Sequence, residues 1–227
     1  MNKTSGNGAT INGNSALSKT DDTGYGGGVY ITTSGEDVGV DIFSGSIVGN
    51  SSARAGGGIC VDLPSENVST TVTVGEPGSK DLEYPNITSN ITLLSGGGLY
   101  VNGQNANVVV NSGTIKNNET VGYVDNPDIM NETGMVTLNG GDIKSVDVIY
   151  AANGGDSIEG EAIGQTEIVQ RIVTDTNNTL VAPTYYRNGY KFVGWNTRAD
   201  GLGTSYVDGQ VVKRSADLKL YAIWQIQ

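Results

Sequence analysis

The first 145 residues contain short runs in which apolar and polar side chains alternate, separated by turns rich in glycine and asparagine. Alternation of this kind is typical of β-strands with one buried face, and no stretch shows the 3.6-residue periodicity and capping signals of a helix. Each run is too short to bury a core by itself. The pattern therefore predicts an all-β fold in which many short strands share one core.

A six-position block, Gly-Gly-Gly-apolar-X-apolar, occurs three times. Its copies are Gly26–Ile31, Gly56–Val61 and Gly96–Val101. In the first copy Val29 and Ile31 lie on one side of the predicted strand, and Tyr30 lies on the other. Stacking the copies would bury a continuous row led by Val29, Ile59 and Leu99, which is how a β-solenoid builds its core.

A second block, apolar-X-apolar-X-X-Gly-X-Ile, alternates with the first. Its copies are Val40–Ile47, Val108–Ile115 and Val136–Ile143, and asparagine follows isoleucine by three positions at Asn14, Asn50, Asn90 and Asn118. Glycine permits positive φ at corners, and stacked asparagine amides can hydrogen-bond from coil to coil. We expect about four coils of a right-handed parallel β-helix, with an outward loop at Gly75–Tyr84.

The two blocks together resemble the glycine-rich β-helices of bacterial autotransporters, polymorphic outer-membrane proteins and gut-bacterial adhesins. Coils of those proteins combine a GGG-apolar-Tyr-Val strand with a Gly-X-Ile-X-X-Asn strand, and the resemblance covers about residues 9–145. It implies a β-helix on a cell surface and says little about a ligand.

Composition changes near Val146, where glycine and asparagine become rarer and aromatic residues concentrate. Four segments follow in order: Asp147–Gly155, Asn188–Thr197, Asp200–Tyr206 and Leu218–Trp224. They resemble the Listeria–Bacteroides repeat, whose pattern runs aromatic-X-Ala-Asn-Gly-Gly, Gly-Tyr-X-Phe-X-Gly-Trp-Asn-Thr, Asp-Gly-X-Gly-Thr-X-Tyr and Leu-X-Leu-Tyr-Ala-X-Trp. The resemblance implies a compact β-grasp-like module on an extracellular protein, with a small insertion at Ser157–Thr166.

The predicted organisation is therefore a parallel β-helix over residues 1–145 and a repeat module over residues 146–227. Two tryptophans on apolar strands would dominate the core of the module, because each can bury a large area. The residues expected to share this core are Val148, Phe192, Trp195, Leu220 and Trp224.

Charge and composition exclude several functions. The formal net charge is −11, which disfavours nucleic acid and anionic membrane surfaces. The chain has no histidine and a single cysteine, so it lacks histidine-based catalysis and an internal disulfide. No apolar run approaches the about 20 residues of a membrane span. We expect no enzyme activity, no cofactor, no metal site and no membrane insertion, and a monomeric chain.

Two acidic pairs could supply calcium ligands, since calcium binds oxygen atoms. They are Asp21/Asp22 and Asp125/Asp128, and neither fits an EF-hand loop or the nonapeptide calcium repeat. Solvated turns are the simpler interpretation. The alternative function is a carbohydrate-active β-helix, a polysaccharide lyase or hydrolase with an accessory module. It would need carboxylates or a base converging on one face, whereas the acids here are scattered singly.

Tyr30, Cys60 and Tyr100 occupy the same position of the glycine block. By alternation they should all face outward, and this row is the candidate binding surface for host glycans or surface proteins. We expect no signal peptide directly before the repeats in this sequence, because Met1–Gly6 lead into polar sequence. The expectation is a non-catalytic fragment of an extracellular, adhesin-like bacterial surface protein, acting as a stalk or display scaffold.

Overall fold

The computed structural model describes residues 8–17, 23–80, 84–122, 126–157 and 166–227. All regular secondary structure within these ranges is β. The described residues accordingly offer no helix that could cross a membrane. Contacts divide the chain into two units, Met1–Lys144 with Asp175–Asn177, and Ser145–Thr174 with Asn178–Gln227.

In the first unit, four strands recur in the same order in each coil. The first coil has β1 (Thr10–Asn12), β2 (Ser15–Ala16), β3 (Val29–Ile31) and β4 (Val38–Ile42); the second has β5 (Ser46–Val48), β6 (Ser51–Ser52), β7 (Ile59–Asp62) and β8 (Thr70–Val74); the third has β9 (Asn86–Thr88), β10 (Ile91–Thr92), β11 (Leu99–Asn102) and β12 (Ala106–Val110); the fourth has β13 (Thr114–Lys116), β14 (Glu119–Thr120), β15 (Ile129–Asn131) and β16 (Met135–Leu138). A further strand, β17 (Asp142–Ile143), continues the first position of the cycle.

Equivalent strands of successive coils pair in parallel and without offset, which gives four parallel sheets that run along the β-helix. The isoleucines of the second block form one ladder, in which Ile47 pairs with Ile87 and Ile87 pairs with Ile115. The glycine-block row stacks as predicted, because Ile59 pairs with both Val29 and Leu99. This confirms a parallel β-helix. Its handedness stays a prediction.

The coils differ in length, and the asparagine positions measure the difference. Successive asparagines are separated by 36, 40 and 28 residues along the chain. The strands keep their register, so the extra residues of the longer coils form loops that extend outward from the β-helix between strands. One of these is the predicted loop Gly75–Tyr84 between β8 and β9, of which residues 81–83 lie outside the described part of the chain.

The middle glycine of each block marks a close approach of two coils. A Cβ atom added to Gly57 would lie 2.4 Å from the carbonyl oxygen of Ile91 and 2.5 Å from that of Gly97. Both obstacles are backbone atoms of the next coil, held in hydrogen-bonded ladders. The glycine requirement at this position therefore comes from coil-to-coil distance.

Replacing Gly57 with Ala should destabilise the β-helix by about 1–3 kcal/mol, the usual range for overpacking, because the coils must separate to admit the methyl group. The matched control is Gly39→Ala on β4, where an added Cβ atom meets nothing within 4 Å. That change should be neutral or slightly stabilising, since alanine loses less backbone entropy. Urea unfolding followed by far-UV circular dichroism measures both variants, and equal midpoints would contradict the proposed close approach.

A ladder of buried amides runs along the β-helix at the predicted asparagine positions. Asn50 donates its backbone and side-chain N–H groups to Oδ1 of Asn90, each at 3.0 Å. Asn90 donates in the same way to Asn118. Each side chain also donates to a carbonyl of the previous coil, as Asn90 does to Ile47 at 2.9 Å. The amide thus satisfies the corner backbone and ties three coils together.

The ladder ends on a carboxylate. Both N–H groups of Asn118 donate to Oδ1 of Asp128 at 3.0 Å, and Asp128 is buried. The interpretation of Asp128 as a solvated turn residue was therefore wrong. The fourth coil replaces the glycine triplet with Asn126-Pro127-Asp128, and this substitution brings an acceptor to the position of the next asparagine. Asp21, Asp22 and Asp125 lie outside the described residues.

The second unit is built around a mixed five-stranded sheet. The strands in this part of the chain are β18 (Ser145–Ala151), β19 (Asp156–Ser157), β20 (Glu167–Val173), β21 (Asn177–Thr179), β22 (Tyr185–Tyr186), β23 (Tyr190–Asn196), β24 (Ser205–Tyr206), β25 (Val211–Lys213) and β26 (Leu218–Ile226). The sheet order is β20-β18-β26-β23-β24, and only β18 and β26 pair in parallel. The β-grasp part of the expectation is not confirmed. Of the predicted insertion, residues 158–165 fall outside the described ranges.

The core of this unit follows the prediction closely. Val148, Trp195 and Leu220 are buried in one cluster, and Trp224 packs against it while partly buried. Phe192 was wrongly placed in the core, because it is 37% exposed. A register shift between Phe192 and Gly194 allows Phe192 and Trp195 to touch, with ring centroids 5.3 Å apart, while Phe192 stays at the margin.

Asn196 organises the loop that joins two of the sequence landmarks. Its Nδ2 donates to the carbonyl oxygens of Gly201 and Gly203 at 3.1 Å, and its Oδ1 accepts from the N–H groups of Arg198 and Gly203. The side chain is buried and its bonding capacity is filled. The Trp-Asn-Thr and Asp-Gly-X-Gly-Thr segments are therefore one structural unit.

Candidate binding groove

The predicted row of outward side chains exists as a ladder in the third sheet. Cys60 pairs in register with Tyr30 on one side and Tyr100 on the other, and Met130 extends the row. Tyr30 is 46% exposed, as expected. Cys60 is 0% and Tyr100 is 8% exposed, so the prediction of a solvent-facing row was wrong for these two residues.

The cover over the row comes from the residue before each glycine block. Tyr25, Ala55 and Ser95 form their own parallel bridges from coil to coil. The triglycine turn brings this position back across the outer side of the strand: a Cβ atom on Gly56 would lie 2.6 Å from that of Cys60. Ala55, Cys60, Tyr100 and Met130 consequently form a buried cluster against which Tyr25 packs.

Cys60 is chemically quiet in this position. Burial raises the pKa of its thiol far above the usual range, and the nearby Asp62 carboxylate raises it further. The thiolate is the nucleophilic and metal-binding form of cysteine. Cys60 therefore serves as a small apolar side chain between Tyr30 and Tyr100 in the row.

A groove of about 340 Å³ lies beside the tyrosine row, within the first unit. We call it the Tyr25 groove. Its lining consists of Tyr25, Arg54, Ala55, Leu94, Ser95, Tyr100 and Glu132. The volume falls within the range of about 300–1,000 Å³ that is usual for small-ligand sites.

One wall of the groove is aromatic and cationic. The rings of Tyr25 and Tyr30 are stacked, with centroids 5.9 Å apart and planes inclined by 16°. The guanidinium carbon of Arg54 lies 5.4 Å from the centroid of the Tyr25 ring, within the range of a cation–π contact. This wall therefore presents a flat ring and a positively charged group to the same space.

The other wall carries a hydroxyl–carboxylate pair. The Tyr100 hydroxyl donates to Oε2 of Glu132 at 2.9 Å. Burial raises the pKa of the Tyr100 phenol well above its usual range, and the hydrogen bond to Glu132 adds to the shift. Tyr100 consequently remains a neutral donor and holds one oxygen of Glu132.

A second carboxylate lies at the exposed end of the tyrosine row. The Tyr30 hydroxyl donates to Oδ2 of Asp62 at 3.3 Å, and Asn102 Nδ2 donates to Oδ1 at 2.9 Å. Both oxygens of Asp62 thus accept hydrogen bonds. Within the described ranges no cluster of three or more acidic or cysteine side chains is placed to hold a metal ion.

Sequence reasoning identified the row and missed Tyr25, Arg54 and Glu132. A signal was available for Tyr25, because Tyr25, Ala55 and Ser95 each stand immediately before a glycine triplet. Arg54 stands where the neighbouring coils have Gly24 and Leu94, so the repeat pattern carried no information about it. Glu132 stands two positions after Met130, as Asp62 stands two positions after Cys60, so the register of the row did carry a signal for this acid. Their meeting depends on how coils of unequal length stack.

Comparison with known proteins finds a family match within the second unit and similarity to two curated proteins. Residues 147–223 match the Listeria-Bacteroides repeat domain. An Evansella cellulosilytica protein with the printed name "Putative membrane protein" is 34% identical over 84 residues, which is 36% of this chain and 12% of that protein. A second protein of the same organism, "Putative Gly-rich membrane protein", is 33% identical over 86 residues, 37% of this chain and 9% of its own length.

The aligned part of the chain thus spans about a tenth of the length of these relatives. No solved structure matches. The adhesin-type resemblance of the β-helix is not confirmed by a family match. The comparisons do confirm the second prediction: the C-terminal module is similar to the Listeria-Bacteroides repeat domain.

Proposed function

We propose that this chain is a non-catalytic segment of a bacterial cell-surface protein, in which the β-helix is a rigid scaffold that displays the Tyr25 groove for binding a glycan or a surface protein. The observation that carries the proposal is the groove itself. It combines an aromatic wall, an arginine and a hydrogen-bonded carboxylate on a scaffold whose ladders fix their positions.

Support for a location at the cell envelope comes from the relatives. The names of both describe membrane proteins, and one name describes a glycine-rich protein. This chain is also rich in glycine, with 34 glycines in 227 residues. We infer that this segment belongs to a longer protein held at the envelope and presented outside the cell.

Support for binding without catalysis comes from the chemistry of the groove. General acid–base catalysis is most efficient when a group titrates near the working pH. The raised pKa values of the Cys60 thiol and the Tyr100 phenol keep both protonated. The carboxylates of Asp62 and Glu132 are occupied as hydrogen-bond acceptors. These groups hold the side chains of the groove in place and offer hydrogen-bond donors and aromatic rings to a ligand.

The proposal predicts that Tyr25→Ala lowers binding to a glycan array or to host cells by about tenfold or more, because a half-buried aromatic anchor contributes a large share of a contact surface. The fold should remain intact, since Tyr25 packs at the margin of its cluster. Replacing Tyr30 and Tyr100 together is a poor test, because Tyr100 is buried. The matched control is Tyr186→Ala, an exposed tyrosine of the second unit.

Binding is scored by array fluorescence and confirmed by calorimetry on the strongest hit. Equal loss in Tyr25→Ala and Tyr186→Ala would remove the groove from the proposal. A parent protein that binds nothing on arrays or cells would leave the β-helix as a passive stalk. Turnover of pectin or another uronate polymer by the parent would favour the carbohydrate-active alternative.

A further inference from the structure

We infer that the Tyr25 groove recognises a carboxylate-bearing sugar unit, such as a uronic acid residue, through the guanidinium of Arg54. This inference rests on the proposed binding function and specifies its ligand class. It depends on three observations: how Arg54 is held, which side chains of the groove already have hydrogen-bond partners, and which backbone groups nearby are already paired.

Arg54 is fixed at the backbone between two neighbouring coils. Its N–H donates to the carbonyl of Gly24 at 3.0 Å, and its own carbonyl accepts from Ser95 N–H and Thr92 Oγ1, both at 3.0 Å. The side chain then extends over the Tyr25 ring. The scaffold therefore fixes the backbone of Arg54, and the contact with the Tyr25 ring restrains its guanidinium, which reduces the entropy that a ligand must overcome.

The cation of Arg54 remains available to a ligand. Ion pairs in the described part of the chain include those of Lys116, Lys144, Arg198 and Lys219, and none of these four pairs involves Arg54. The nearby acid, Glu132, is held by the Tyr100 hydroxyl. A guanidinium presents paired N–H donors that match the two oxygens of a carboxylate. An anionic group in the groove would complete this pairing.

The aromatic wall and the paired backbone favour a sugar over a peptide. Tyr25 lines the groove beside Arg54, and its ring is an apolar surface that the C–H groups of a pyranose can contact. A peptide that binds by strand addition needs an unpaired sheet edge. Strands β7 and β11, which carry Cys60 and Tyr100 along the groove, pair with neighbours on both sides.

The test uses the full 227-residue chain and two probes that differ in the methyl esterification of their carboxylates: trigalacturonate and its fully methyl-esterified, uncharged form. Calorimetry should show binding of trigalacturonate and a loss of about tenfold or more with the ester. Arg54→Gln should reduce trigalacturonate binding to the level of the ester, and Arg54→Lys should restore it in part, since lysine keeps the charge without the paired donors.

The matched control is Arg187→Gln, which removes another partly buried arginine lying over a tyrosine ring, that of Tyr190 at 4.0 Å, in the second unit. It should bind trigalacturonate like the parent. Equal binding of acid and ester, or no effect of Arg54→Gln, would overturn the acidic-sugar inference while leaving glycan binding intact. Tighter binding of a peptide with a free C-terminal carboxylate than of trigalacturonate would also overturn it. A chain that binds no glycan at all would contradict the proposed function as well.

Discussion

Replacing Asn90 with Ala is expected to lower the free energy of unfolding of the β-helix by about 4 kcal/mol. The change leaves several buried polar groups without hydrogen-bond partners, and each such group costs about 1–3 kcal/mol. Oδ1 of Asn90 accepts two hydrogen bonds from Asn50, and its Nδ2 donates to Ile47 O and Asn118 Oδ1. Asn90 is fully buried, so water cannot replace these partners.

The same ladder supplies the control. Asn14 stands at its first position, where the side chain is exposed and donates one hydrogen bond from Nδ2 to Asn50. Asn14→Ala should therefore cost less than about 1 kcal/mol, because solvent reaches the groups that are left. Both tryptophans lie in the second unit, so tryptophan fluorescence follows that unit and far-UV circular dichroism also reports the β-helix. Similar losses in the two variants would show that the ladder is not a cooperative element.

The repeat blocks carried enough information to predict the parallel stacking. Glycine triplets followed by apolar alternation define both the strand and its inward face, and a parallel, in-register arrangement places Val29, Ile59 and Leu99 in one row. The asparagine spacing after each isoleucine likewise predicted stacked amides. These features repeat in each coil, so each copy reinforces the interpretation of the others.

Burial of the outer row could not be predicted from alternation. Alternation decides on which side of a strand a residue lies, but the covering of that side depends on the chain outside the strand. Here the triglycine turn folds Ala55 over Cys60 and Tyr100, which requires knowledge of three consecutive backbone conformations. The repeat pattern also hid Asp128, because the fourth coil lacks the glycine triplet that marks the position.

The groove was the least predictable feature for a related reason. Tyr25, Arg54 and Glu132 come from three different coils, and their separation along the chain reflects the loops inserted in each coil. A repeat analysis finds what coils share, whereas a binding site on a solenoid is made of the residues that differ. The side chains without equivalents in other coils are therefore the ones to examine first in such proteins.

In the second unit, Trp195→Ala is expected to cost about 3–5 kcal/mol, the usual range for removing a buried tryptophan. Trp195 is 1% exposed, and its ring meets those of Tyr150, Tyr185 and Phe192 edge to face at centroid distances of 4.9, 5.8 and 5.3 Å. Its removal would leave a cavity between β18 and β23 that these rings can fill only in part. Since whole domains are stable by about 5–15 kcal/mol, the module should be largely unfolded at moderate urea concentrations.

Two further variants separate the energetic contribution of the Trp195 ring from that of its N–H group, and the contribution of the core from that of its margin. The indole nitrogen of Trp195 is buried without a hydrogen-bond partner among the described residues. Trp195→Phe should therefore cost only about 1–2 kcal/mol, because the lost volume is offset by removing an unsatisfied donor. Phe192→Ala, at the 37% exposed margin, should cost less than about 2 kcal/mol. Urea unfolding is followed in every case by the fluorescence of Trp224, whose indole nitrogen donates to the carbonyl of Ala152 at 3.0 Å. If Trp195→Ala proved no more destabilising than Phe192→Ala, Trp195 would not be the centre of the core, and its ring would have to be explained by a ligand.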